Sequence, residues 1–343
     1  MKVCHVIGSL SMPLDEGTSK SVVNITRKME EKGHNSFIYT RPKKDKGKNT
    51  VKTDLTVYRN EIRPGSFFKN RKRIKELKPD IVHVHSSNPL MALYFDKIHE
   101  NTLWTAPAFR GSEKTIKIWK TLCRNQKTLA TSEKVAGNIP GEVEVLPYGI
   151  DTEKFRCERN PEISENPRIL FMSSTKEKRG FFAAIDIVKK IMETRNPEFH
   201  VAVREKYTDK AESILEEEGI SKISKVRGFV KDLPDYFNKM DVVLYPVKSS
   251  SGFTSPPLIA LEAMSCGRIT VCTGVKDFRE VIENGEDGLI YEYGEEDEVA
   301  ERLLDLKKDE VEKMSEKARK KIISEYSLEN TVERYLEIYR EIQ

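Results

Sequence analysis

A chain of 343 residues, 38% hydrophobic and 33% charged, is too long for one small core and too apolar to stay unfolded, so two globular domains are expected. Its apolar runs, such as Ile81 to Val84 and Val242 to Leu244, fall far short of the roughly 20 residues of a membrane-spanning helix. The net charge of +4 hides an asymmetry, with 27 lysines and arginines against 15 acids in residues 1–150 and 32 against 40 in the remainder.

Met1 leads straight into a strand-like segment, without the apolar stretch and cleavage site of a signal peptide, so a cytoplasmic protein is expected. From there short β-branched runs alternate with longer helical patterns, which is the arrangement of βαβ units around parallel sheets. The fold class is α/β. In the first half strands are expected at Val3–Ile7, Ser36–Thr40, Asp80–His85, Leu103–Thr105, Thr128–Thr131 and Glu142–Leu146. Between the first two, Val22, Ile25 and Met29 recur at helical spacing, and Gly33 stops the pattern. From Arg41 to Lys78 a basic run includes Lys43, Lys44, Lys46, Lys48 and Lys52, then Lys69, Arg71, Lys72 and Arg73 beside Phe67 and Phe68. Such a run reads as a solvated face. With aromatic neighbours it also suits an anionic membrane surface, at the inner face of the membrane, or a phosphate-bearing acceptor.

A polar, proline-containing stretch from Arg156 to Pro167 reads as a linker, giving domains at 1–157 and 158–325. Strands follow at Arg168–Met172, Phe199–Val203, Lys225–Val230, Asp241–Tyr245, Ile269–Cys272 and Leu289–Tyr291. Ala184, Ile187, Val188 and Ile191 form one amphipathic face, and Val311, Met314, Ala318 and Ile322 another. A last helix, 326–343, starts after Ser327 as N-cap and carries Val332, Tyr335, Leu336 and Tyr339 on one side, expected to pack back on the N-terminal domain. The five cysteines, Cys4, Cys123, Cys157, Cys266 and Cys272, are odd in number and scattered, and read as buried thiols. Two Rossmann-like domains facing each other are the simplest architecture, with a ligand site in the cleft beyond the carboxyl ends of their strands.

The most informative stretch runs from Ser250 to Gly267. A strand ending near Pro246 feeds a small-residue loop, and Pro256-Pro257 can start a helix because first-turn N–H groups lack intrahelical acceptors. Those N–H groups and the positive dipole end suit a phosphate. Glu262, about two turns in, sits among apolar neighbours, where a carboxylate needs hydroxyl or cationic partners. The competing reading makes Glu262 an exposed helix residue and the loop a connector.

Glu262-Ala263-Met264-Ser265-Cys266-Gly267 resembles the second half of the donor-binding motif of retaining glycosyltransferases of family 4. Other segments resemble that family in its order: Met1 to Thr40, the strand Pro79-Asp80-Ile81-Val82-His83-Val84-His85, the interdomain segment Val145 to Phe155, Gly228-Phe229-Val230, Met240 to Pro246, and the closing loop Glu280 to Leu289. The resemblance implies a GT-B fold and transfer of a sugar, with retained configuration, from a nucleotide-diphosphate sugar to a glycan or lipid-linked acceptor. That donor is a co-substrate, and neither a metal nor another cofactor is implied.

It also implies site roles. Glu262 binds the ribose hydroxyls, Arg179 takes the place of the family's phosphate-binding lysine, and Val230 flanks the nucleotide. Gly17 and Thr18 lie where the family's first loop approaches the phosphates, and the Thr254 to Leu258 amides, with Ser255, line the donor. Three departures bear on mechanism. Thr254 stands where the family has its first motif Glu, and Ser174 where it has an Arg, so Lys176 or Lys178 would supply the second cation. The segment Trp104 to Gly111 lacks the family's histidine, which leaves no catalytic residue assigned and His85 and Arg110 as acceptor-side candidates. These losses motivate an alternative: a catalytically weakened homologue that binds nucleotide sugar or serves as a partner subunit. Nucleic acid is not an expected partner, because no binding motif accompanies the basic excess.

Overall fold

The computed structural model describes residues 1–10, 17–41, 55–109, 126–249 and 254–343. Contacts divide the chain into two units: Met1–Asp151 with Gly252–Ser255 and Tyr326–Gln343, and Thr152–Ser251 with Pro256–Glu325.

In the first unit the strands are β1 (Lys2–Ile7), β2 (Asn35–Thr40), β3 (Val57–Arg59), β4 (Ile81–His85), β5 (Thr102–Ala106), β6 (Thr128–Ala130) and β7 (Glu144–Val145). They form one sheet in the order β3-β2-β1-β4-β5-β6-β7, every pairing parallel. The apolar runs of β1 and β4 are buried throughout their centres, as expected of parallel strands covered on both faces. Helix Gly17–Glu31 buries Val22, Ile25 and Met29 and ends before Gly33, as the spacing predicts. The edge strand β3 is an addition to the sequence reading. It is three residues long and lies within the basic run, so it carries no periodic signal of its own.

The second unit holds β8 (Arg168–Met172), β9 (Glu198–Ala202), β10 (Ser224–Arg227), β11 (Val242–Tyr245), β12 (Ile269–Thr273) and β13 (Leu289–Tyr291), again all parallel, in the order β10-β9-β8-β11-β12-β13. The expected strand Lys225–Val230 stops at Arg227, because β10 is an edge strand whose partner β9 ends at Ala202. Ala184, Ile187, Val188 and Ile191 on helix Phe181–Met192 join Phe171, Phe199 and Leu244 in the core. Helix Lys308–Glu325 buries Val311, Met314, Ala318 and Ile322 and packs on helix Leu258–Ser265.

Helix Leu328–Ile342 belongs to the first unit. Ser327 caps it by accepting from the Asn330 N–H at 3.2 Å, and Val332, Tyr335, Leu336 and Tyr339 are buried. Its start is tied in by the Leu328 N–H donating to the Ile150 carbonyl at 2.8 Å. Lys28 and Lys32 pair with Glu329 from the neighbouring helix. Cys4, Cys266 and Cys272 are buried free thiols. Cys157 is a correction to the buried reading, being partly exposed, and Cys123 lies outside the described residues. Among the described residues no helix is long and apolar enough to cross a membrane.

Candidate functional site

In the second unit the strand order reverses between β8 and β11, and a ligand site is expected beyond the carboxyl ends of strands at such a point. The loop after β8 contributes Ser174, half-buried, Lys176, exposed, and a single helical turn, Glu177–Arg179. Gly180 ends that turn in the left-handed conformation, φ 78°. A Cβ on Gly180 would stand 1.8 Å from the carbonyl oxygen of Pro246, which follows β11, so the two loops meet backbone to backbone. Gly180→Ala is expected to destabilise the second unit by about 2–4 kcal/mol, combining left-handed strain with that clash, and to show it as a lowered thermal midpoint.

The contact fixes Arg179 at the switch point. Burial lowers the pKa of its guanidinium; Tyr245 at the end of β11 opposes that shift, and Arg204 adds to it. Arg204 was not singled out in the sequence. β8 and β9 pair Met172 with Ala202, so Ser174 and Arg204 each lie two residues past the same rung. Two guanidinium groups thus share one end of the sheet, a positive potential suited to phosphate oxygens. The signal that could have found Arg204 was its position just after a strand, but only the β8–β9 register relates it to Ser174.

Glu262 lies on helix Leu258–Ser265 between β11 and β12 and is 2% exposed, in a helix otherwise composed of Leu, Ile, Ala, Met and Ser. Of the two readings that its spacing leaves open, the structure shows the buried one. The helix ends in a Schellman arrangement: the Arg268 N–H donates to the Ala263 carbonyl at 2.9 Å and the Gly267 N–H to Met264 at 2.9 Å, with Gly267 at φ +71°. The Ser265 hydroxyl donates to the Phe155 carbonyl at 2.6 Å, and Arg319 donates to Ser265 at 2.6 Å. Glu262 is thereby held on a locked helix. At the other end, Pro256 and Pro257 carry no N–H, so Leu258 offers the first first-turn donor.

Not all expected residues gather here. Val230 is half-buried in the loop three residues beyond β10. Thr254 and Ser255 cluster with the first unit. The Ser255 N–H donates to the Pro107 carbonyl at 3.1 Å, its carbonyl accepts from the Thr131 hydroxyl, and the Ser132 hydroxyl donates to the Ser255 hydroxyl at 2.8 Å. Gly17 and Thr18 open the first helix and are half-buried. Arg110 lies outside the described residues, as do Gly252 and Phe253.

His85 is 1% exposed, which corrects the expectation that it faces an acceptor. Parallel pairing sets His5 of β1 beside His83 of β4, with His85 two residues on, and all three imidazoles are buried in the first unit. His85 is hydrogen-bonded to Tyr148 at 3.0 Å and to His5 at 3.1 Å. His83 is hydrogen-bonded to Tyr339 at 2.6 Å and to Thr105 at 2.7 Å, with the Tyr335 ring edge-on at 4.9 Å. The three offer nitrogens within 4.8 Å of one another, but metal coordination would require His83 to give up one of its hydroxyl partners. Burial holds all three pKa values low, His5 at about 3. The cluster is a neutral, hydrogen-bonded part of the core.

Two parallel Rossmann-like sheets, each with its switch point and loops at the strand carboxyl ends, define the GT-B fold class. Residues 16–154 match the family described as Glycosyltransferase Family 4, and residues 166–309 match Glycosyl transferases group 1. The chain belongs to this glycosyltransferase family. A glycosyltransferase from Rickettsia africae shares the fold at TM-score 0.81 with 18% identity, over 99% of this chain and 98% of that one. Anabaena HepE, solved in complex with UDP, gives 0.81 at 14% identity over 99% and 100%. The lipopolysaccharide outer core galactosyltransferase WaaB gives 0.72 at 17% over 99% and 100%. The N-acetyl-alpha-D-glucosaminyl L-malate synthase of Bacillus anthracis is 36% identical over 87 residues, a segment spanning 25% of this chain and 23% of that protein.

Proposed function

We propose that the protein is a glycosyltransferase that moves a sugar from a nucleoside-diphosphate sugar to a glycan or lipid-linked acceptor, with retention at the anomeric carbon. The observation that carries this reading is that the second unit combines a buried carboxylate, Glu262, on a locked helix with two arginines beyond the carboxyl ends of its strands, Arg179 after β8 at the switch point and Arg204 after the adjacent β9. Glu262 would accept hydrogen bonds from the ribose hydroxyls. Arg179 and Arg204 would hold the diphosphate, Arg204 replacing the cation absent at Ser174, with Lys176 at the solvent side and the Leu258 N–H as a further donor. Charge developing on the departing diphosphate would then be met by fixed cations and dipoles.

The test is turnover of a panel of nucleoside-diphosphate hexoses, beginning with UDP-glucose because HepE was also solved with that compound. Release of the nucleoside diphosphate dependent on added acceptor, an α-linked product from an α-linked donor, and persistence in excess chelator are expected. Inversion would remove the retaining reading, and loss of turnover on chelation would remove the metal-independent one.

A further inference from the structure

Helix Phe67–Leu77 has two opposed faces. Asn70, Ile74 and Leu77 are buried. Asn70 clamps the helix down: its Nδ2 donates to the Glu61 carbonyl and the Tyr94 hydroxyl at 2.8 Å each, and its Oδ1 accepts from the Tyr39 hydroxyl at 2.6 Å. Phe67 packs edge-on against Tyr94, ring centroids 5.4 Å apart. On the other face Phe68, Arg71, Lys72 and Lys75 recur at i, i+3, i+4 and i+7, so they form one stripe. All four are exposed, Phe68 by 80%.

The charge is one-sided. The helix carries five cations and one acid, Glu76, which pairs with Arg73 at 3.2 Å. Arg73 also lies over the Tyr58 ring at 5.0 Å. Arg71, Lys72 and Lys75 pair with no acid among the described residues, and with Phe68 and Glu76 they line a surface recess of about 480 Å³. One aromatic ring flanked by cations on a helix held rigidly from behind matches the interface of an acidic bilayer, where rings settle at the headgroup level and cations meet phosphates. Single-stranded nucleic acid would call for successive stacking rings along a groove, and this stripe presents one.

We propose that this face docks on an anionic lipid surface, with Phe68 entering the headgroup–acyl boundary and Arg71, Lys72 and Lys75 contacting lipid phosphates. The inference is independent of the donor site. It is tested by sedimenting the full chain with vesicles of phosphatidylcholine alone and of phosphatidylcholine mixed with phosphatidylglycerol. Binding to the mixed vesicles only, weakened by salt, is expected. Arg71→Gln, Lys72→Gln and Lys75→Gln should weaken it roughly fivefold each and about 100-fold together, and Phe68→Ala about tenfold. Lys222→Gln with Lys231→Gln and Lys239→Gln removes equal charge from the second unit and should leave binding unchanged. Equal loss in that control, equal binding to phosphatidylcholine alone, or tighter binding to a single-stranded oligonucleotide than to the mixed vesicles would overturn the proposal.

Discussion

Glu262→Ala is expected to weaken binding of the donor's nucleoside diphosphate and of the parent nucleoside alike, by about 100-fold or more. Charge-assisted hydrogen bonds to a buried carboxylate contribute about 1.5–3 kcal/mol each, and the substitution removes every acceptor that the side chain offers. Arg179→Ala and Arg204→Ala should behave differently. Each should weaken the diphosphate about tenfold or more while leaving the nucleoside unchanged, because their partners are the phosphate oxygens. Calorimetric titration of the three variants with both ligands separates the roles, and unchanged melting of the second unit shows that the fold is intact. Equal loss of nucleoside and diphosphate in the arginine variants would place them away from the phosphates. No loss in Glu262→Ala would remove the ribose assignment.

The second large effect is acid sensitivity of the first unit. His5, His83 and His85 are neutral in the folded state, with pKa values held below the ordinary 6.5 chiefly by burial. Tyr148, Thr105, Tyr335 and Tyr339 face them with neutral hydroxyls and rings, so no carboxylate is among those partners to favour the charged form. Above pH 6.5 neither state binds protons at these positions, and the stability is complete. As pH falls below that value the unfolded chain takes up protons that the native core refuses, and stability drops by about 1.4 kcal/mol per pH unit for each histidine. Three histidines together give roughly 4 kcal/mol per unit below about pH 5.5, until the depressed native values are reached. The carboxylates of the unit whose pKa values are lowered, Glu144 and Glu329, act only in more acidic solution. Trp104 is buried in the first unit, so urea melts followed by its fluorescence, in a Trp119→Phe background, report on that unit. The midpoint should stay level above pH 6.5 and fall steeply below about pH 6, and His5→Val should make that fall shallower. A midpoint constant over that range would show that the imidazoles titrate normally.

The contrast between Glu262 and the histidine cluster shows what a sequence carries. Glu262 stands among apolar helix neighbours, which makes its burial a local alternative that its spacing allows and the motif resemblance favours. The helices were legible for the same reason: Val22, Ile25 and Met29, or Ala184, Ile187 and Val188, mark a buried face by spacing alone. His5 and His83 are 78 residues apart in sequence, and only the pairing of β1 with β4 makes them neighbours. Arg204 likewise becomes a partner of the Ser174 position only through the β8–β9 register. Ser255 was legible as a loop hydroxyl, yet its hydrogen bond to Ser132 spans 123 residues and assigns it to the first unit. The short edge strand β3 and the early end of β10 were missed for another reason: edge strands satisfy half their backbone groups with solvent and need little apolar pattern.

The division of the chain also sets an order of events during synthesis. The first unit begins at Met1 but is completed by Tyr326–Gln343, which supply Tyr335 and Tyr339 to the histidine cluster, whereas every residue of the second unit lies between Thr152 and Glu325. On the ribosome the unit begun second therefore has its full set of residues first. Until the last helix emerges, His83 lacks the Tyr339 hydroxyl and the apolar face awaiting that helix is uncovered, so the nascent first unit is the part of the protein most in need of protection by chaperones.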